Sequence, residues 1–199
     1  MAKYRRRLGL QRADPARLAE LERTLRGEDP TGLSPHEGAA QLARYREGLR
    51  LLARVVTSPG PPALREAAVY GFVFANLKAP HLVLLRRVFS NPHEHPLVRG
   101  QAAEALGSQL SSYRHRWQRR YLRIVDTLVR GLDDPAPEVR FWSIYALTGM
   151  ERSERLLPKL RHIAATDTAT VTGMWTLRQE ALWAISRIEG GEDLDPRTL

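Results

Sequence analysis

The chain has 199 residues, 43% of them hydrophobic, enough to bury a core as one domain or as a short array of repeated units. Its formal charge of +9 permits an acidic partner such as nucleic acid, an anionic membrane or an acidic protein surface, but argues for no particular fold. The absence of cysteine excludes disulfides, thiolate nucleophiles and cysteine-based metal centres.

Only Lys3, Lys78 and Lys159 are lysines, so the positive charge is almost all arginine, a bias that GC-rich codon usage produces equally well. The basic start, Lys3-Tyr4-Arg5-Arg6-Arg7, runs into polar sequence rather than the apolar stretch of a signal peptide. The longest uncharged, mostly apolar run, 67–77, is far short of the roughly 20 residues that span a bilayer. A cytoplasmic protein with no transmembrane segment is expected.

A first helix starts at the Asp14-Pro15 pair, carries the stripe Leu18, Leu21 and Leu25, and stops at Gly27. A second starts at Ser34-Pro35-His36-Glu37, a capping box, and the apolar spacing of Leu42, Tyr45, Leu49, Leu52 and Val56 predicts one helix to about Thr57. Beyond the proline-rich turn at 58–62 there is no alternating strand pattern, only apolar helical segments separated by Pro, Asp, Asn and Gly, so the protein should be all-α.

Four of these segments are copies of one another. Aligned on Leu64-Arg65, Val98-Arg99, Val139-Arg140 and Leu177-Arg178, they share a small residue three places after the arginine (Ala68, Ala102, Ser143, Ala181). A second small residue follows at six places (Gly71, Ala105, Ala146, Ala184), and a large apolar one at seven (Phe72, Leu106, Leu147, Ile185). The arginines stand 34, 41 and 38 residues apart, the period of a two-helix repeating unit. Small residues let neighbouring helices approach closely and the large one fills the core between units. An apolar helix precedes each copy, at 35–57, 80–90, 116–132 and 154–165, so the pairs should stack into a solenoid.

The stretches Asp133–Leu147 and His95–Leu106 resemble the second helix of HEAT repeats, in particular the bacterial PBS-lyase HEAT-like type, over roughly residues 35–188. The resemblance implies a short right-handed α-solenoid of about four helix pairs with an N-terminal capping helix. The expected organisation is a basic tail and helix over 1–33, the solenoid over 34–188 and a polar tail over 189–199. The family's ladder of arginines paired with an aspartate six residues before each one is matched only by Asp134 before Arg140. Pro59, His93 and Thr172 hold the other places, so the ladder is expected to be interrupted.

The second helices of such stacks line the concave face. Positions two and five after each arginine put Ala67 and Tyr70, Gln101 and Glu104, Trp142 and Tyr145, and Glu180 and Trp183 on one side of those helices. Large amphipathic aromatics with carboxylates between them suit a protein or peptide partner. The binding groove expected from this comprises Tyr70, Glu104, Trp142, Tyr145, Glu180 and Trp183, although Trp142 and Trp183 could equally cover the edge of the core.

A second candidate surface is the stripe Arg116, Arg119, Arg120 and Arg123, opposite the apolar face Trp117, Tyr121, Ile124, Val125 and Leu128 of a first helix. With the basic arm at 3–7 it suits phosphates, which makes nucleic-acid binding the alternative function. A solvated face and a solubilising tail are the plainer explanations. No GxSxG elbow, phosphate loop, GxGxxG or HExxH helix is present. His93 and His95 lack further ligands, and Asp133 and Asp134 sit where helix caps belong. The expectation is therefore a non-enzymatic, cofactor-free and metal-free interaction scaffold.

Overall fold

The computed structural model describes residues 12, 14–28, 32–110, 118–150, 153–191 and 195–198. The described residues form ten α-helices and no strand: α1 (Pro15–Leu25), α2 (Pro35–Leu42), α3 (Arg46–Thr57), α4 (Pro62–Gly71), α5 (Ala79–Ser90), α6 (Pro96–Gly107), α7 (Gln118–Gly131), α8 (Pro137–Thr148), α9 (Leu157–Thr166) and α10 (Leu177–Ile188). Successive helices pair as α1/α2, α3/α4, α5/α6, α7/α8 and α9/α10, and α2, α4, α6, α8 and α10 pack side by side as one layer. This is a short helical solenoid of HEAT-like pairs. None of the described helices is long and apolar enough to cross a membrane.

The N-terminal signals act as written. The Asp14 side chain accepts from the Ala16 N–H at 3.3 Å, and Ser34 and Glu37 close the capping box from both sides, at 3.2 and 2.8 Å. One expectation differs. The single helix over 35–57 is two helices, because the chain turns at Ala43–Tyr45 and Tyr45 is extended (φ −111°, ψ 144°). A Cβ on Gly48 would stand 2.8 Å from the Leu42 carbonyl carbon, so a side chain there would block the turn. The apolar spacing runs through the break because Leu42 and Leu49 fill the same core from different helices. Four repeat pairs are thus preceded by a hairpin, α1/α2, rather than by one capping helix.

The repeat positions behave as steric arguments require. Ala68, Ala102, Ser143 and Ala181 are fully buried, as are Phe72, Leu106 and Leu147, while Ile185 is half-buried. Two further glycines set the α6–α8 distance. A Cβ on Gly107 would lie 2.8 Å from the Ala146 Cα, and one on Gly100 would lie 2.8 Å from Trp142 Cδ1 and 2.9 Å from the Glu138 carbonyl oxygen. Gly107→Val should therefore lower stability by about 1–3 kcal/mol through overpacking, read as a lower urea midpoint. An unchanged midpoint would show that α6 and α8 separate at no cost.

The ladder expected to be interrupted has three rungs. Arg65 pairs with Glu94 at 2.7 Å, Arg99 with Asp134, and Arg140 with Asp167 at 2.8 Å. Each carboxylate comes from the turn before the next second helix, but not at a constant distance from its arginine. Glu94 follows His93 by one residue. Asp167 ends α9 and reaches Arg140 because the rest of the connection loops out, held by the Thr170–Thr176 bridge and the Leu177 N–H to Ala169 O bond of 2.9 Å. Arg178, at the end of the stack, donates instead to the Ala165 carbonyl at 3.2 Å.

Candidate functional site

The α2/α4/α6/α8/α10 layer carries a continuous run of aromatic and acidic side chains. At its N-terminal end His36 of α2 forms an ion pair with Glu66 of α4 at 2.8 Å and meets the edge of Tyr70, ring centroids 4.9 Å apart. The hydrogen bond to Glu66 raises the His36 pKa against the effect of burial. Phe74 closes on Tyr70 from the other side at 5.0 Å and is exposed.

Glu104 of α6 occupies the middle. The Gln101 amide donates to its carboxylate, yet burial raises its pKa and the neighbouring Glu66 charge adds to the shift. The Tyr70 and Tyr145 phenols are both raised, by burial first and by Glu104 next, so this one carboxylate lies close to the aromatics on either side.

At the far end Tyr145 of α8, 44% exposed, stacks parallel on Trp183 of α10, centroids 5.8 Å apart and planes 9° apart. The Arg187 guanidinium lies over the Trp183 ring at 5.6 Å. Trp142 is half-buried against the edges of Phe141 and Tyr145 and against Gly100.

Placement corrects the assumption that positions two and five after the arginine face solvent together. Position five does: Tyr70, Glu104, Tyr145 and Trp183 are half-buried or exposed. In three repeats position two turns into the seam between adjacent second helices, where Ala67, Gln101 and Glu180 are buried, while Trp142 at the same position is only half-buried. Glu180 is therefore not a groove residue. Its residue exposure is 0%, one carboxylate oxygen accepts from Trp175 Nε1 at 2.6 Å, and the other has no partner. Burial pushes its pKa up to about 7 against the opposing hydrogen bond.

His36, Phe74 and Arg187 complete the run and were not legible in the repeat register. His36 belongs to a second-layer helix hidden by the break at 43–45, and Phe74 and Arg187 fall nine residues after Arg65 and Arg178, beyond the shared positions.

The other sequence candidates lie apart. Arg116 and the basic arm at 3–7 are outside the described residues. On α7, in the first-helix layer, Arg119 and Arg123 are exposed and Arg120 is half-buried. His95 caps α6 through its ring nitrogen, 3.3 Å from the Leu97 N–H, and Asp133 pairs with Lys159. Among the described residues no cluster of His, Asp and Glu has the geometry to hold a metal.

Residues 82–176 match the family model for HEAT repeats. The match is to the repeat class and not to the PBS-lyase-like type. No curated protein matches the chain. HEAT repeats generally mediate protein–protein contacts and are typically non-enzymatic. With stacked helix pairs, small residues at the helix seams and an arginine–carboxylate ladder threading the turns, residues 82–176 are HEAT repeats and the helix pairs on either side are built in the same way.

Proposed function

We propose that the chain is a non-catalytic scaffold that binds a peptide segment of a protein partner along its second-helix layer, through Tyr70, Glu104, Tyr145 and Trp183. The observation that carries this is the Tyr145–Trp183 stack, built from two successive repeats and left accessible. Rigid aromatics supply contact area at low entropic cost, which is why they anchor interfaces. Glu104, which forms no ion pair among the described residues, places a carboxylate between the two aromatic pairs, so a segment carrying Lys or Arg fits there better than one carrying Asp or Glu.

The test is fluorescence anisotropy with a labelled peptide alternating Arg and Leu, compared with one alternating Glu and Leu. The basic peptide should bind preferentially, and Tyr145→Ala with Trp183→Ala should weaken it about tenfold or more, the loss of at least ~1.4 kcal/mol expected for an aromatic anchor. Equal affinity in the double variant, with its helical circular dichroism intact, would remove the strip as the site.

A further inference from the structure

The first-helix layer carries a surface of the opposite sign. Helices α5 and α7 hold six arginines, Arg86, Arg87, Arg119, Arg120, Arg123 and Arg130, against one carboxylate, Asp126. Between them lies a cleft of about 220 Å³ lined by Arg86, Arg120 and Arg123, by the exposed Val83 and by the buried Leu82 and Ile124; its described lining contains no acid.

The cleft is held in shape. Arg86 Nε donates to Thr127 Oγ1 at 3.1 Å, and that hydroxyl donates in turn to the Arg123 carbonyl at 2.7 Å. One edge of the Arg86 guanidinium is thus pinned to α7, while its two terminal nitrogens have no partner among the described residues. Arg123 forms no ion pair among the described residues either, and Arg130 approaches the same Thr127 hydroxyl at 3.5 Å.

The contrast with the larger cavity near α1 and α3, about 330 Å³, is direct. There Arg26 is matched by Glu22 at 2.9 Å and Arg65 by Glu94 at 2.7 Å. Holding the Arg86 and Arg123 guanidiniums at one cleft without counter-charges among the described residues costs repulsion that a bound anion would relieve.

We propose that this cleft is a binding site for the phosphate backbone of single-stranded nucleic acid, separate from the peptide strip. From Arg119 to Arg130 the charge extends about 16 Å along α7, more than one phosphate group needs and suited to successive phosphates of a strand. A membrane surface fits less well. Among the described lining only Val83 is an exposed apolar side chain beside the arginines, too little apolar area to enter a bilayer, and Leu122 and Val129 of α7 lie 100° or more around the helix from Arg120 and Arg123. The arginine planes beside an apolar lining accept a base of any identity, so binding should be sequence-independent and strongly salt-dependent.

The experiment is fluorescence anisotropy of the full chain with a labelled oligothymidylate long enough to span α7, across a salt series. About three phosphate contacts predict a log–log salt slope of roughly −2, at about 0.7 per phosphate for single strands. Arg86→Gln with Arg123→Gln should bring the slope to about −1 or less and weaken low-salt binding about tenfold. The charge-matched control Arg50→Gln with Arg54→Gln, exposed on α3, should leave both unchanged. Because Arg86 also bonds to Thr127, the single variant Arg123→Glu, at an exposed residue, carries the same test independently of folding. Equal loss in control and cleft variants would reduce the effect to net charge and overturn the site. Binding to phosphatidylserine-containing vesicles without binding to the oligonucleotide would overturn the assignment to nucleic acid.

Discussion

Asp134→Ala should cost about 3–5 kcal/mol of unfolding free energy, the largest effect expected of any single substitution at the ladder. The Arg99 side chain is 9% exposed and Asp134 12%, less than either partner of the Arg65–Glu94 and Arg140–Asp167 rungs. Arg99 also donates to the Phe89 carbonyl at 3.0 Å, which ties the end of α5 into the same contact. Asp134 meanwhile accepts from the Ala136 N–H at 3.0 Å and so shapes the turn before α8. Removing the carboxylate leaves a guanidinium buried without its counter-charge and frees a turn N–H at once. Asp134→Asn, which retains an acceptor for Ala136 but not the charge, should fall between the variant and the wild type. Urea unfolding monitored by circular dichroism measures both. A loss below about 1 kcal/mol for Asp134→Ala would mean that water solvates Arg99 freely and that the rung contributes little.

The same rung shows why some of this protein could be read in one dimension and some could not. The register of Arg65, Arg99, Arg140 and Arg178 was legible because close packing of helices demands small side chains at fixed helical intervals, and that demand repeats with every unit. The carboxylates obey no such interval. Glu94 and Asp167 lie on turns of different length, and an arginine side chain reaches several ångströms to find either, so a strict spacing rule misses two rungs of three.

The break at 43–45 was hidden for a related reason: hydrophobic spacing records which residues enter the core, and Leu42 and Leu49 do so on either side of a sharp turn. At the strip, helical angle alone assigned positions two and five to one face. A neighbouring helix on one flank decides between them, covering Gln101 and Glu180 and leaving Glu104 and Trp183 accessible. Burial in a stack is a property of the neighbour as much as of the helix.

Glu180 makes that burial measurable. With no exposure, an unpartnered oxygen and a pKa of about 7, it is protonated in the folded chain over a range in which an unfolded glutamate, near 4.5, is ionised. The folded state then binds the extra proton, so stability is greatest below about pH 4.5, declines as pH rises, and levels off once pH exceeds the folded pKa. The decline attributable to Glu180 is on the order of 3 kcal/mol, 1.36 kcal/mol for each unit of pKa difference. His36 and Glu104, whose pKa values are also raised, push in the same direction, so the wild-type curve alone does not isolate it.

The difference between wild type and Glu180→Gln does. Glutamine has nearly the same shape, offers Trp175 Nε1 an acceptor and cannot ionise. The two proteins should be about equally stable near pH 4.5, with the variant about 2–3 kcal/mol more stable at pH 8. Thermal melts across this range give the comparison, and parallel curves would show that the carboxyl is solvated or differently bonded. A second readout is independent of unfolding. Ionisation places a charge against the Trp175 indole, so tryptophan fluorescence should titrate near pH 7 in the wild type and lose that step in the variant.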